Sequence, residues 1–250
     1  MARYQVKIAY DGTEFFGMQR QLDDRTVQGE IEISLRKMGW DDQSIQFAGR
    51  TDAGVHANGQ VIVFNLNWKH GTEKLLKALN SVLPKDIAGK KVFETENDFH
   101  PRYDALSRSY VYQIYCRQDR DPMMDRHNLK IWPEIELDAL NEAANLFIGE
   151  YDFSAFGTPP KKDGSTIREV FEAGWTKVED RLFFTIKANA FLYHMVRRIV
   201  NVQIEIVQGR KEAELISDAL AGKIEGVIQG IAPPQGLFLD EVEYADREIK

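Results

Sequence analysis

A single cysteine, Cys116, in 250 residues excludes an internal disulfide framework and any zinc site built from several cysteines. Histidines are nearly as sparse: five are scattered along the chain with no pair at ligand spacing, so no metal is expected. No apolar run reaches the length of a membrane helix. The N-terminus, MARYQVKIAYDG, alternates like a strand and lacks the apolar block of a signal peptide. There is no G-x-x-x-x-G-K-[ST] phosphate loop, no dinucleotide fingerprint behind Gly49 and no G-x-S-x-G nucleophile elbow. The expectation is a soluble, cytoplasmic, globular protein without membrane attachment, working without cofactors.

What is present is enough to build a large core. The chain is 43% hydrophobic and 28% charged, which is not the composition of a disordered tail. A formal charge of −7 and a pI near 5.4 argue against nucleic acid on average. Locally the balance reverses. Residues 99–130 carry six Lys/Arg against four Asp/Glu, while the last eleven residues carry five acids against two bases. A basic groove is therefore compatible with the acidic total.

Hydrophobic patterning places YQVKIAY (4–10) in a strand and TVQGEIEISLRKM (26–38) in a helix capped by Thr26, with Val27, Ile31 and Leu35 four apart. SIQFAG (44–49) and GQVIVFNL (59–66) read as strands, TEKLLKALNSVL (72–83) as a helix and DIAGKKVFETE (86–96) as a strand. The order β-α-β-β-α-β then recurs. LSRSYVYQIY (106–115) is a strand and LDALNEAANLFIG (137–149) a helix. A hairpin turns at Glu179 and Asp180, a long helix covers 191–209, another covers 211–222, and GLFLDEVEY (236–244) closes the chain as a strand. The predicted fold class is α+β: two βαββαβ units of RRM or ferredoxin-like type with antiparallel sheets. The predicted boundary lies near 97–105, giving an N-terminal domain over 1–103 and a C-terminal domain over 104–250.

AGRTDAGVHA (48–57) joins two of these strands. If the backbone from Gly49 to Asp52 is extended, Arg50 and Asp52 point the same way. They could form an ion pair that fixes a loop. They could equally face one ligand, with a carboxylate kept ionised by its neighbour and able to act as nucleophile or base.

GRTDAGVH (49–56) strongly resembles the catalytic loop of the tRNA pseudouridine synthase A family. AYDGTEFFGMQRQ (9–21), VQGEIE, FHPRYDALSRSYVYQIY (99–115), ANAFLYHMVRRIV (188–200) and PPQGLFL (233–239) resemble further family motifs in the family's order. Met18 stands where tryptophan is common, and Arg198 and Asn201 stand where asparagine and glycine are usual. The resemblance implies two similar domains whose sheets join into one, with a catalytic cleft between them. It also implies a homodimer that holds tRNA. The implied reaction isomerises uridine to pseudouridine in the anticodon stem-loop, at nucleotides 38, 39 and 40.

By the same resemblance Asp52 is the nucleophile, and Arg50 contacts RNA near a flipped-out nucleotide. Tyr110 stacks on the target base and can serve proton transfer at C5; alternation along its strand would otherwise make it core. Arg197 pairs with the nucleophile, and it lies away from the apolar stripe of Phe191, Leu192, Met195, Val196 and Ile199. Phe99, His100, Pro101, Arg102 and Tyr103 match an RNA-binding stretch. Lys161 and Lys162 form a basic loop that reaches RNA or is merely solvated. The rival reading is a non-catalytic RNA-binding protein of two RRM-like units, although the RRM aromatic consensus is not evident.

Overall fold

The computed structural model describes residues 1–161 and 163–245. The chain forms β1 (Ala2–Tyr10), α1 (Val27–Arg36), β2 (Gln46–Phe47), β3 (His56–Leu66), α2 (Thr72–Val82), β4 (Ile87–Thr95) and β5 (Ala105–Cys116). It continues through α3 (Pro122–Asp125), β6 (Leu129–Ile131), α4 (Leu137–Asn145), β7 (Gly149–Asp152), β8 (Ile167–Val178) and β9 (Arg181–Ala188). It ends with α5 (Met195–Val207), α6 (Leu215–Leu220) and β10 (Leu237–Tyr244). The protein is mixed α+β, and its strand pairing is mostly antiparallel.

Two compact units divide the chain: residues 1–106 with 238–250, and residues 107–237. In the first unit β1 lies between β4 and β3, antiparallel to both, and β10 adds to β3 in parallel through Phe238–His56 and Leu239–Ala57. The C-terminal strand, which the 104–250 division assigned to the second domain, thus completes the sheet of the first. Its register is fixed by partners nearly the whole chain away, which no local pattern records. Gly59 makes this approach possible, since a Cβ there would meet the Asp240 carbonyl oxygen at 2.2 Å. In the second unit β5, β9, β8 and β7 run antiparallel in that order, and β6 joins β5 in parallel.

Helix α1 forms where cap and apolar spacing agree. Thr26 accepts a bond from the Gly29 amide at 3.3 Å, a cap worth about 1 kcal/mol, and Val27, Ile31 and Leu35 are all buried. Three carboxamides act as backbone surrogates. Asn80 of α2 accepts from the Gly89 amide at 2.7 Å and donates to the Gly89 carbonyl at 3.0 Å. Asn141 of α4 clamps Trp175 of β8 in the same way, at 2.7 and 3.1 Å. Gln60 of β3 does so at Gly49, at 3.3 and 2.8 Å. A carboxamide holds one donor group and one acceptor, so it can continue a ladder where the partner strand has stopped.

Several expected bounds change. The strand expected over 44–49 is confined to Gln46 and Phe47, and after one further bond from the Ala48 amide Gly49 leaves the ladder for Gln60. The helix expected over 191–209 begins at Met195, because His194 stands in the left-handed region at φ 64° and Tyr193 bonds backward to Thr158. The helix expected over 211–222 is confined to 215–220. Strands β6 and β7 and the short α3 were not foreseen.

Candidate active site

The loop from Gly49 to Val55 is held by the segment that follows β1. The Met18 amide donates to the Thr51 carbonyl at 3.1 Å, and the Gly54 amide donates to the Phe15 carbonyl at 3.2 Å. A tight turn joins the Val55 amide to the Asp52 carbonyl at 3.2 Å, with Gly54 at φ 77°. Beneath the loop, the hydroxyls of Tyr10 and Thr51 bond at 2.7 Å in a buried position. Burial pushes the Tyr10 phenol up to about 12, opposed in part by hydrogen bonds from Thr51 and Gln60. At the far end of the loop His56 accepts from the Gly12 amide at 2.9 Å, and its ring stacks on Phe238 at 4.6 Å. The backbone of this loop is therefore built in, with Asp52 half-buried and Arg50 exposed.

Among the described residues Arg50 enters no ion pair, so an Arg50–Asp52 salt bridge is not what fixes the loop. Hydrogen bonds from neighbouring backbone and from uncharged side chains do that instead. Of the two readings left open by the residue pattern, the ligand-facing one is compatible with this geometry.

In the same unit, residues 99–103 form a compact turn. The Arg3 guanidinium donates to the Phe99 carbonyl at 2.9 and 3.2 Å, and the Tyr244 hydroxyl donates to the Pro101 carbonyl at 2.7 Å. Phe99 is 2% exposed and packs edge-on against Tyr244 at 5.1 Å. Phe99 is thereby enclosed, and Pro101 is buried as well. Tyr103 is 74% exposed, Arg102 sits 5.9 Å from its ring centroid, and His100 packs on it at 4.3 Å. Burial pulls the His100 imidazole down, opposed by Asp104, whose carboxylate accepts from the His100 amide at 3.0 Å.

The second unit carries Tyr110, Arg197 and Lys161. Tyr110 is 9% exposed, and Phe191 braces its ring edge-on at 5.0 Å. Phe191 reaches it from the irregular chain ahead of α5, not from the helix. Arg197 lies in the first turn of α5 and is half-buried. Its Nε donates to the Ala232 carbonyl at 2.7 Å, and its own carbonyl accepts from the Ala232 amide at 3.1 Å. The Tyr112 hydroxyl donates to the Pro233 carbonyl at 2.8 Å. Burial raises the Tyr112 phenol, and the Arg197 charge opposes that rise. The stretch Ala232–Pro233 thus ties β5 to α5 and orients Arg197, a role the sequence reading did not assign. Lys161 is exposed in a turn closed by the Gly164 amide on its carbonyl at 2.9 Å. Lys162 lies outside the described residues.

Residues 7–104 and 143–245 match the family model described as tRNA pseudouridine synthase. A curated tRNA pseudouridine synthase A of Dictyoglomus turgidum is 39% identical over 246 residues, covering 98% of this chain and 100% of that one. The tRNA pseudouridine synthase A of Shewanella piezotolerans is 37% identical, covering 98% and 94%. A protein of Bacillus cereus named tRNA pseudouridine synthase A 2 is 35% identical, covering 98% and 100%. A chain of the archaeal box H/ACA sRNP Nop10-Cbf5 complex overlaps 81% of this chain and 43% of its own at 10% identity, with a TM-score of 0.36, and carries no argument. The full-length matches show that the chain belongs to the tRNA pseudouridine synthase A family and is an isomerase.

Proposed function

We propose that the protein isomerises uridine to pseudouridine in the anticodon stem-loop of tRNA, with Asp52 as the reacting carboxylate. The observation that carries this reading is the half-buried Asp52, on a loop whose backbone is bonded from three sides, within a chain of this family. The net reaction breaks the N1–C1′ bond, forms a C5–C1′ bond, removes the C5 proton and returns a proton to N1. Nothing is oxidised and no water is consumed, so a carboxylate and a proton acceptor are sufficient groups.

The target base must leave its stack before any bond can be made. Arg50, exposed beside Asp52, suits a contact with the nucleotides left behind. The Tyr110 ring would support the uracil, and its phenol would serve at C5. Arg197 would balance the carboxylate charge. Arg102, Tyr103 and His100 would grip the RNA outside the reacting centre, with Lys161 adding charge to a phosphate. A homodimer, as the resemblance implies, and a cytoplasmic setting complete the proposal.

The test is to incubate the protein with unmodified tRNA and map pseudouridine by chemical labelling. Conversion within the anticodon stem-loop is expected from the natural chain. Asp52→Asn should form none while binding tRNA within about twofold of it. Undiminished conversion by Asp52→Asn would overturn the assignment.

A further inference from the structure

The Asp52 loop rests on a buried polar cluster that the reaction itself does not use. Backbone pairing between the loop and β3 ends with the Ala48 amide on the Val61 carbonyl at 2.9 Å. One residue later Gln60, wholly buried, substitutes its side chain for the strand. Its Nε2 donates to the Gly49 carbonyl and its Oε1 accepts from the Gly49 amide. Two residues further on, the buried Thr51 hydroxyl meets the Tyr10 hydroxyl at 2.7 Å. Gly49 and Thr51 are thereby fixed at alternate positions, on either side of the exposed Arg50 and directly ahead of the half-buried Asp52.

We propose that Tyr10 and Gln60 are positioning residues for the reaction, holding the Asp52 carboxylate in register through Thr51 and Gly49. The inference rests on Asp52 being the reacting group. Three physical points support it. Hydrogen bonds between buried neutral groups are directional and are not exchanged for water, so they define position more sharply than an exposed ion pair. Thr51 adjoins Asp52, so a slack Thr51 displaces the carboxylate directly. A displacement of about 1 Å at a reacting centre costs on the order of 100-fold in rate. Cores of this size need no such cluster: Tyr10 already packs edge-on against Phe15 at 6.5 Å, and its hydroxyl adds direction, not apolar contact.

The test compares Tyr10→Phe, Thr51→Val and Thr51→Ser in the full chain. Pseudouridine formation is measured alongside amide hydrogen exchange over residues 48–55. Tyr10→Phe and Thr51→Val should each lower kcat on the order of 10-fold or more, with KM for tRNA within about twofold and faster exchange at residues 49–52. Thr51→Ser, which keeps the hydroxyl, should recover most of the rate lost in Thr51→Val. The double variant Tyr10→Phe with Thr51→Val should be little slower than either single one, since both remove the same bond. If Tyr10→Phe does not fold, the Thr51 pair carries the comparison alone. Loss expressed in KM with kcat intact, or equal rates for Thr51→Val and Thr51→Ser, would overturn the proposal. Failure of the underlying reading looks different: Asp52→Asn would then remain active whatever the Tyr10 and Thr51 variants do.

Discussion

The Cβ that Gly17 lacks would stand 2.7 Å from the Thr51 carbonyl oxygen and 3.3 Å from the Asp52 carbonyl carbon. Gly17 also holds φ at +90°, where a side chain is strained whatever the space. Gly17→Ala should therefore cost about 1–3 kcal/mol of stability and, by pushing on the loop, lower pseudouridine formation more than it lowers tRNA binding. Thermal melting and single-turnover rates decide this. An alanine variant with natural melting and rate would show that the loop does not depend on this contact.

Arg102 is the cation at the exposed corner of the 99–103 turn, beside the 74% exposed Tyr103. Arg102→Ala should weaken tRNA binding at low salt. It should also reduce the slope of log affinity against log salt by roughly one contact's worth. Titrations at several salt concentrations measure the slope. An unchanged slope would remove Arg102 from the phosphate contacts.

Tyr110→Phe keeps the ring that Phe191 braces and deletes only the hydroxyl. A large fall in kcat with tRNA affinity preserved is expected if the hydroxyl serves proton transfer. A rate within about twofold of the natural chain would confine Tyr110 to supporting the base.

Alkaline stability should carry a signature of Tyr10. Its phenol is raised by burial from the ordinary value of 10.0 to about 12 in the folded protein. The neutral form is therefore favoured by folding. The resulting stabilisation is complete below pH 10 and is lost as pH rises through about 12. Tyr112 is raised by burial too and acts in the same direction, so the comparison must isolate Tyr10. Urea unfolding midpoints between pH 9 and pH 12 should fall more steeply for the natural chain than for Tyr10→Phe. Parallel curves would contradict the assignment.

The elements that sequence made legible are those whose causes are local. Helix α1 followed from the Thr26 cap and the four-residue spacing of Val27, Ile31 and Leu35. The β8–β9 hairpin followed from Glu179 and Asp180, and Glu179 does take the left-handed conformation at φ 55°. What was not legible depends on distant partners. The apolar spacing of Phe191 and Leu192 looked helical, yet His194 stands outside the helix and Phe191 turns toward Tyr110. FHPRY offered five candidate RNA contacts with nothing to separate Phe99, which the Tyr244 ring covers, from Tyr103. Asp52 and its loop stood out through glycine spacing and through resemblance, whereas its anchors did not. One signal for Gln60 was available: it is the lone polar residue entering the apolar run VIVF, where an unpaired carboxamide would be costly.

Because β10 pairs in parallel with β3 at His56 and Ala57, these two residues gain their β10 partners only once Phe238 and Leu239 have been made. Everything from Ser107 to Leu237 is, in effect, a long detour inserted before that pairing. A nascent chain halted anywhere along the detour has translated Asp52 and its whole loop, but it leaves His56 without the Phe238 ring that lies against it. Loss of Phe238 and Leu239 would therefore unsettle the His56 end of a loop made about 180 residues earlier.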